Sequence, residues 1–311
     1  MIVWVLLSIS IVAVLVISKL CYRLAFYSPN RKEQDVYAIP PGEQYEKVAD
    51  TMLKNIYEVA QIPYEQIYTF AFDGIILAAK YYHFRDNAPL QIQFHGYRGN
   101  GTREFASVFN LAKQLGMNVL LVDQRAHGKS GGHTISFGIR ERYDCKAWVD
   151  YACRRFGVSI KIILSGVSMG AATVLMASDL NLPVNVVGIT ADCPYSSPGA
   201  IIRKVCKDIK LPPRLAYLFG GIGAFLFGGF RIWESSAVKS VRRARIPILL
   251  IHGEDDRFVP CHMSYEIYKS CRGKRMCVTF PEAGHGLSYL TDPEKYQSIF
   301  REYLIICGLD V

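Results

Sequence analysis

The sequence predicts an α/β fold, a mostly parallel sheet with helices on both faces, on the basis of two observations. Apolar runs of strand length alternate with segments of helical periodicity from residue 90 to residue 306. Short polar motifs follow directly after several of these runs, where open α/β sheets place their functional sites. Because parallel strands need a crossover between them, the alternation predicts a sheet covered by helices on both sides.

Eight strands are expected. The first two, 68–72 and 75–82, flank the turn Asp73-Gly74 and predict an antiparallel hairpin. The others are predicted at 90–95, 118–123, 160–165, 184–191, 246–251 and 276–281. Helices are predicted at 103–115, 140–156, 169–179, 262–271 and 293–306, with a further helical pattern around Val48, Met52, Ile56 and Val59.

The N-terminal segment predicts a membrane anchor. The first 18 residues carry no charged side chain, which is about the length that spans a bilayer core. A cleavable signal peptide has a basic first region and a small-residue cleavage site, and neither is present. Lys19, Arg23, Arg31 and Lys32 all follow the segment, so the positive-inside rule predicts that the rest of the chain is cytoplasmic. We expect a single-pass anchor over residues 1–23 in the cell membrane.

The pentapeptide Gly166-Val167-Ser168-Met169-Gly170 directly follows the predicted strand 160–165. A strand that continues into G-x-S-x-G is typical of a nucleophile elbow, a strained turn that exposes the serine hydroxyl before a helix. The glycines let the helix approach the strand closely, and the helix N-terminus can stabilise an oxyanion. Because so short a motif also occurs by chance, the prediction depends on the other motifs.

Four other motifs follow predicted strands, at 95–99 (His-Gly-Tyr-Arg-Gly), 123–130, 252–260 and 283–286 (Ala-Gly-His-Gly). Together with the elbow they resemble the α/β-hydrolase superfamily, in the serine-hydrolase branch of serine aminopeptidases and prolyl-oligopeptidase-like esterases. The resemblance covers about residues 67–311. One departure is Ala126, which stands where the family's D-x-R-G-H-G-x-S loop usually has its first glycine.

The resemblance implies a triad in the chain order serine, acid, histidine. It assigns Ser168 as the nucleophile, Asp256 as the acid and His285 as the general base. It assigns the backbone N–H groups of Tyr97 and Met169 to the oxyanion hole. These residue types suit acyl transfer, because a serine hydroxyl needs a base, and the base needs a carboxylate that orients its ring.

The assignment of the acid leaves two alternatives open. Asp255 is the neighbour of Asp256, and Asp192 ends the predicted strand 184–191, a position that some members of the superfamily use. The remaining histidines of the motifs are interpreted as residues that anchor loops by hydrogen bonds; they are His95, His127 and His252.

The chain is expected to consist of an anchor (1–23), a polar connector (24–66), a hydrolase core in two parts (67–195 and 246–311) and a cap insertion (196–245). The insertion carries ten basic and two acidic residues, so it accounts for +8 of the net charge of +9. Its stretch Leu215 to Phe230 is uncharged. Two interpretations stay open: a cap with solvated charges, or an acyl-binding lid that faces an anionic membrane.

Composition restricts the other classes of function. Half of the residues are apolar and 20% are charged, which excludes a disordered chain. The nine cysteines are an odd number without a C-x-x-C pair, and they do not combine with histidines at zinc spacing. Reduced thiols are therefore expected. The sequence has no phosphate loop or dinucleotide fingerprint, so no cofactor, metal or nucleic-acid partner is expected.

The function expected from these observations is a membrane-anchored serine hydrolase that cleaves a carboxylic ester, with a lipophilic acyl ester as the favoured small-molecule substrate. A serine peptidase of aminopeptidase type is the alternative enzyme. A catalytically idle ligand-binding protein on the same fold is the alternative of another class, because fold alone does not fix function.

Overall fold

The computed structural model describes residues 1–29 and 35–309, so Arg31 and Lys32 lie outside the described residues. Its eight-stranded sheet confirms the predicted α/β fold. The strands are β1 (Glu65–Phe70), β2 (Ile76–Tyr82), β3 (Leu90–Phe94), β4 (Asn118–Asp123), β5 (Ile162–Val167), β6 (Val186–Asp192), β7 (Ile248–Gly253) and β8 (Arg275–Phe280). Their order is β1-β2-β4-β3-β5-β6-β7-β8. Strand β2 pairs antiparallel with β1 and with β4, and all other neighbouring strands pair in parallel.

The helices of the described residues are α1 (Ile2–Ala25), α2 (Glu43–Glu46), α3 (Ala49–Ala60), α4 (Gly101–Gln114), α5 (Glu141–Phe156), α6 (Met169–Ala177), α7 (Pro198–Asp208), α8 (Pro213–Gly228), α9 (Ala237–Ser240), α10 (His262–Ser270), α11 (Ser288–Thr291) and α12 (Pro293–Ile306). The insertion 196–245 contains α7, α8 and α9, and the connector contains α2 and α3.

Two hydrophobic layers enclose the sheet. Helices α5, α6, α9 and α10 cover one face, where Trp148 is fully buried. Helices α3, α4 and α12 cover the other face, where Phe109 and Tyr303 are buried. The strand register aligns the carboxyl ends of the central strands, because Phe94 lies opposite Gly166 and Asp192 lies opposite Val167 and Ile251. The loops after β3, β5, β6 and β7 therefore begin side by side.

Helix α1 is long and apolar enough to cross a membrane, with a mean hydropathy of 2.5 in its most apolar part. Residues 1–17 are exposed, and burial begins at Ser18. Farther along, Tyr22 and Phe26 belong to a hydrophobic cluster with the insertion and the core. The helix therefore has an exposed apolar part and a part that is packed on the domain.

Helix α8 packs along the C-terminal part of α1 through small residues. A Cβ on Gly223 would overlap the backbone carbonyl of Ser18, so this close approach requires glycine. The buried positions of α8 are Gly220, Gly221, Gly223, Ala224 and Gly228, a pattern of small residues that lets two helix backbones approach. Five of its large apolar side chains are exposed instead; they are Leu215, Leu218, Phe225, Leu226 and Phe227.

Candidate active site

Ser168 lies in a strained turn between β5 and α6. Its backbone has a φ of 54° and a ψ of −113°, which costs conformational energy for a residue other than glycine. A Cβ on Gly166 would overlap the backbone of Gly170, and a Cβ on Gly170 would overlap the carbonyl of Phe94. The Ser168 N–H donates to the carbonyl oxygen of Asp192 at 2.9 Å. The turn is thus fixed between β3 and β6.

His285, in the loop after β8, connects Ser168 to Asp256, in the loop after β7. Its Nε2 lies 3.0 Å from the Ser168 Oγ, and its Nδ1 lies 2.7 Å from the Asp256 Oδ2. A carboxylate can only accept, so Nδ1 carries the hydrogen and Nε2 is left to accept the hydroxyl proton of the serine. The structure therefore brings the three residues together in the geometry of a serine-hydrolase triad.

The Asp256 carboxylate is buried and well hydrogen bonded. Its Oδ1 accepts the N–H groups of Phe258 and Val259 at 2.9 and 2.8 Å. Burial alone would raise the pKa of Asp256, but hydrogen bonds from His252 and His285 hold that pKa well below its usual range. Asp256 is consequently ionised at neutral pH, which is the state that stabilises an imidazolium.

The two alternative acids are placed differently. The side chain of Asp255 is exposed, whereas Asp192 is buried at the end of β6. The Asp192 carboxylate accepts a long hydrogen bond of 3.4 Å from the Ser288 hydroxyl. Burial raises the pKa of Asp192 to about 7, against the opposing effect of His252 and His285. The geometry therefore favours Asp256 as the partner of His285.

The two N–H groups assigned to the oxyanion hole both have free hydrogens. Met169 is the first residue of α6, and the first N–H groups of a helix have no acceptor within it. For the Tyr97 N–H, no acceptor is present among the described residues. A Cβ on the preceding Gly96 would lie 3.3 Å from the Ser168 Cβ, so this loop directly faces the serine.

The neighbours of Tyr97 in the loop after β3 are held by side chains. The Gly96 N–H donates to the Glu104 carboxylate at 2.5 Å, and the Arg98 N–H donates to the His127 Nε2 at 3.0 Å. Burial raises the pKa of Glu104, with the Gly96 N–H acting in the opposite direction. Because both flanking N–H groups are occupied, the loop presents the Tyr97 N–H to the site.

The other buried histidines hold loops. Nε2 of His95 accepts the Gln124 N–H at 3.2 Å, and burial lowers the pKa of His95 to about 4. Burial lowers the pKa of His127 to about 3, so its Nε2 stays available as an acceptor. His252 lies 2.7 Å from the Ser264 hydroxyl through Nδ1 and 2.8 Å from the Val259 carbonyl through Nε2.

The loop 123–130 contacts the loop after β3 through His127, which accepts the Arg98 N–H. Its Arg125 forms a bidentate pair with Asp144, with both nitrogen–oxygen distances at 2.6 Å. Ala126 is buried and has a φ of 63°, in the left-handed region that favours glycine. The departure from the family motif thus falls at the position where the backbone is strained.

A cavity of about 410 Å³ adjoins Ser168 and extends between the sheet and the helices α3, α4 and α12. Its volume lies in the range of small-molecule sites. Met52 and Phe105 form part of its apolar wall. None of the described residues that line it comes from the insertion 196–245, so the stretch Leu215 to Phe230 does not line this cavity.

The connector contributes residues to the site that sequence reasoning missed. The Tyr45 hydroxyl donates to the His285 carbonyl at 3.0 Å, and the His285 N–H donates to the Gln44 Oε1 at 3.3 Å. Both side chains also line the cavity, together with Pro40 and Pro41. These contacts join residues about 240 positions apart. Near them the sequence predicts only a turn at Pro40-Pro41-Gly42 and the helical pattern around Val48, and neither pattern points to the site.

One group of possible metal ligands occurs among the described residues: the Cys193 thiol lies with the Asp256 carboxylate and the His285 ring within 4.8 Å. Asp256 and His285 are already hydrogen bonded to each other. Burial raises the pKa of the Cys193 thiol well above its usual value, which disfavours the thiolate that a metal needs. The donor set therefore fits a triad better than a metal centre.

Two family models match this chain. The model for serine aminopeptidase, S33, matches residues 89–209, and the model for serine hydrolase (FSH1) matches residues 204–287. The uncharacterized protein YqkD of Bacillus subtilis is 28% identical over 63% of this chain and 64% of its own length. Protein bem46 of Schizosaccharomyces pombe is 26% identical over 67% of this chain and 64% of its own length. The chain thus spans less than two thirds of both relatives.

Solved structures agree with the fold. The esterase Pf2001 of Pyrococcus furiosus superimposes with a TM-score of 0.66 and 25% identity, covering 80% of this chain and 92% of the esterase. The matched segments of the two family models include the elbow and the loop of His285. The fold of this chain is that of the α/β-hydrolase superfamily, and its sequence is similar to the serine hydrolases of that superfamily.

Proposed function

We propose that this chain is a membrane-anchored serine hydrolase that cleaves a carboxylic ester through an acyl-enzyme. The observation that carries the proposal is the hydrogen-bonded chain from the Ser168 Oγ through His285 to Asp256, with distances of 3.0 and 2.7 Å. The free N–H groups of Tyr97 and Met169 complete the arrangement that acyl transfer needs.

In the proposed reaction, the Ser168 oxygen attacks the ester carbonyl while the His285 Nε2 takes the hydroxyl proton. The ionised Asp256 stabilises the resulting imidazolium. The negative charge on the carbonyl oxygen is taken by the N–H groups of Tyr97 and Met169, each worth about 3 kcal/mol of barrier. The imidazolium then protonates the departing alcohol. Water, deprotonated by His285, hydrolyses the acyl-enzyme and regenerates Ser168.

The charges in the cavity favour an ester over the free N-terminus of a peptide. An aminopeptidase needs an ionised carboxylate that binds the substrate ammonium. The carboxyl groups that line the cavity in the described residues are Glu104 and Asp192, and burial raises the pKa of each. One Glu104 oxygen also accepts the Gly96 N–H. A carboxylic ester has no ammonium group, so its binding requires no ionised carboxylate in the cavity.

The proposed membrane attachment is supported by the surface around α1. Residues 1–17 are exposed and apolar, and the exposed side chains Phe225 and Phe227 of α8 continue that surface. Basic groups accompany them: the Lys19 ammonium lies 5.9 Å from the Phe227 ring, and the Arg231 guanidinium lies 5.6 Å from the Phe225 ring. Such a mixture suits the boundary between acyl chains and anionic headgroups. Lys19 and Arg23 follow the apolar part, which places the hydrolase core on the cytoplasmic side in this proposal.

The first test is labelling of the purified protein with a fluorophosphonate probe, combined with hydrolysis of a series of carboxylic esters. We expect the wild type to be labelled and active, and Ser168→Ala to lose both properties. Circular dichroism of the variant serves as the control for folding. A folded Ser168→Ala protein that keeps most of its esterase activity would disprove the mechanism.

A second test concerns the acid. We expect Asp256→Asn to lower kcat by about 10⁴-fold, because the triad then loses both its charge and the tautomer it selects. Asp255→Asn is the matched control on the same loop, and Asp192→Asn is the control at the end of β6. Both controls should retain activity within about tenfold of the wild type. A collapse of activity in Asp192→Asn alone would transfer the role to that residue.

A further inference from the structure

The floor of the cavity is polar, although it is built from the centre of the sheet. Gln91, Ser165 and Thr190 lie on β3, β5 and β6, are at most 6% exposed, and line the cavity together with Ser168. The opposite wall, formed by α3, α4 and α12, includes apolar side chains such as Met52 and Phe105. Central strands of α/β sheets are ordinarily apolar on both faces, so polar side chains here need a reason.

These floor residues form one chain of hydrogen bonds. The Gln93 amide donates to the Gln91 Oε1 at 3.0 Å, and the Gln91 amide donates to the Ser165 Oγ at 2.6 Å. The Ser165 and Thr190 hydroxyls lie 2.6 Å apart. The chain therefore ends at a pair of hydroxyl groups in the cavity floor.

The hydroxyl pair of Ser165 and Thr190 has one more hydrogen than it has acceptors for within the described residues. Two hydroxyl hydrogens are present, but the single contact between Ser165 and Thr190 uses only one of them. The structure has no other acceptor for either hydroxyl within the described residues. One O–H group thus remains to donate into the cavity. Leaving such a group against a hydrocarbon would cost about 1–3 kcal/mol.

We propose that one arm of the substrate ester enters this cavity and carries an oxygen atom at its far end, which accepts the free hydrogen of the Ser165–Thr190 pair. The inference rests on the proposed esterase function and narrows its substrate class. The arm has an apolar body that packs on Met52 and Phe105 and a polar terminus, such as a keto, ether or hydroxyl oxygen. Ser165 precedes Ser168 by three residues, so this terminus lies about 10 Å from the nucleophile by the rise of a strand.

The experiment compares pairs of esters of equal length, one with a methyl terminus and one with a keto oxygen at the corresponding position. One set carries the difference on the acyl arm and the other on the alcohol arm, and alkaline hydrolysis rates correct for intrinsic reactivity. We expect the wild type to prefer the keto ester in one set by at least fivefold in kcat/KM. That preference identifies which arm occupies the cavity.

The double variant Ser165→Ala/Thr190→Val removes both hydroxyl hydrogens and should abolish the preference, whereas Thr190→Ser keeps both hydroxyls and should retain it. Thr69→Val is the matched control, because Thr69 is a buried strand threonine that does not line the cavity. Fluorophosphonate labelling of Ser168 should be unchanged in Thr69→Val, and in the variants of the hydroxyl pair it reports whether the nucleophile is still reactive.

The outcomes separate the inference from the proposed function. A labelled, active wild type without preference in either set, or with a preference that Ser165→Ala/Thr190→Val leaves unchanged, would overturn the inference alone. Absence of labelling and of hydrolysis in the wild type would overturn the proposed esterase function itself.

Discussion

The connector and the insertion contribute to the molecule in opposite ways. The insertion, with its basic and apolar side chains, packs on α1 and exposes aromatic residues next to this helix. The connector has no conspicuous charge pattern, yet Gln44 and Tyr45 contact the loop of His285 and line the cavity. The insertion, which has the stronger sequence pattern, does not line the cavity beside Ser168, whereas the connector does. Predictions of substrate preference should start from the connector.

Among the tests that compare the insertion with the connector, the largest effect is expected from the charge of the insertion. Each basic residue near an anionic surface contributes about 1 kcal/mol, so neutralising three should weaken binding to anionic vesicles by roughly 100-fold. The three changes are Lys207→Gln, Lys210→Gln and Arg231→Gln, at exposed positions. Binding is measured with a protein that lacks residues 1–17, because this truncation keeps the buried residues Ser18, Tyr22 and Phe26.

The matched control for this charge change removes three exposed basic residues elsewhere, by Lys54→Gln, Lys269→Gln and Arg301→Gln. This triple variant has the same net charge and should bind anionic vesicles nearly as well as the parent protein. Hydrolysis of soluble esters should be equal in both. Equal weakening by the two triple variants would contradict a specific role of the insertion.

An intermediate effect is expected from the contact between α8 and α1. Gly223→Ala places a methyl group against the Ser18 backbone carbonyl, so it should lower the free energy of unfolding by about 1–3 kcal/mol. In Gly220→Ala the new methyl group has its nearest neighbour, the Phe26 ring, at 4.0 Å. That control should stabilise the helix by about 0.5–1 kcal/mol.

Thermal unfolding in detergent measures both glycine variants, and ester hydrolysis well below the transition should be unchanged in each. Two outcomes would contradict the packing described here: equal stability of the two variants, or a selective loss of catalysis in Gly223→Ala. The second outcome would show that the packing of α8 on α1 affects the catalytic centre.

The smallest effect tests the connector. Tyr45→Phe removes the hydrogen bond to the His285 carbonyl, which is worth about 1 kcal/mol, so kcat should fall about fivefold. Tyr217→Phe makes the same chemical change in the insertion and should leave kcat unchanged. Steady-state kinetics with a soluble ester decide between the two. A larger effect of Tyr217→Phe would reverse the comparison between the regions.

Much of the fold followed from local patterns. All eight predicted strands and the antiparallel hairpin are present, and the bounds differ by at most three residues, as with β1, which begins at Glu65 instead of 68. Apolar runs and turn residues are local properties, which is why they are visible in one sequence. The proximity of Ser168, Asp256 and His285 followed from the resemblance together with the parallel register of the sheet.

The residues that were missed depend on contacts between distant parts of the chain. Gln44 and Tyr45 lie in a polar segment whose local pattern suggests a solvated connector, and only the folded chain places them on the loop of His285. The sequence also did not predict that Gln91 and Ser165 form a polar cavity floor. A single polar residue in an apolar run does not reveal whether it faces a cavity or a neighbouring strand.

The unbroken course of α1 has a consequence for how the enzyme would meet its substrate. The helix runs from Ile2 to Ala25 without interruption and is already packed on the domain at Ser18. If this helix spans a bilayer as proposed, it would be a rigid tether that holds the catalytic centre at a fixed height and tilt relative to the membrane surface. Its search is then two-dimensional. Turnover would follow the surface density of ester in the membrane, and lateral diffusion would deliver each substrate molecule.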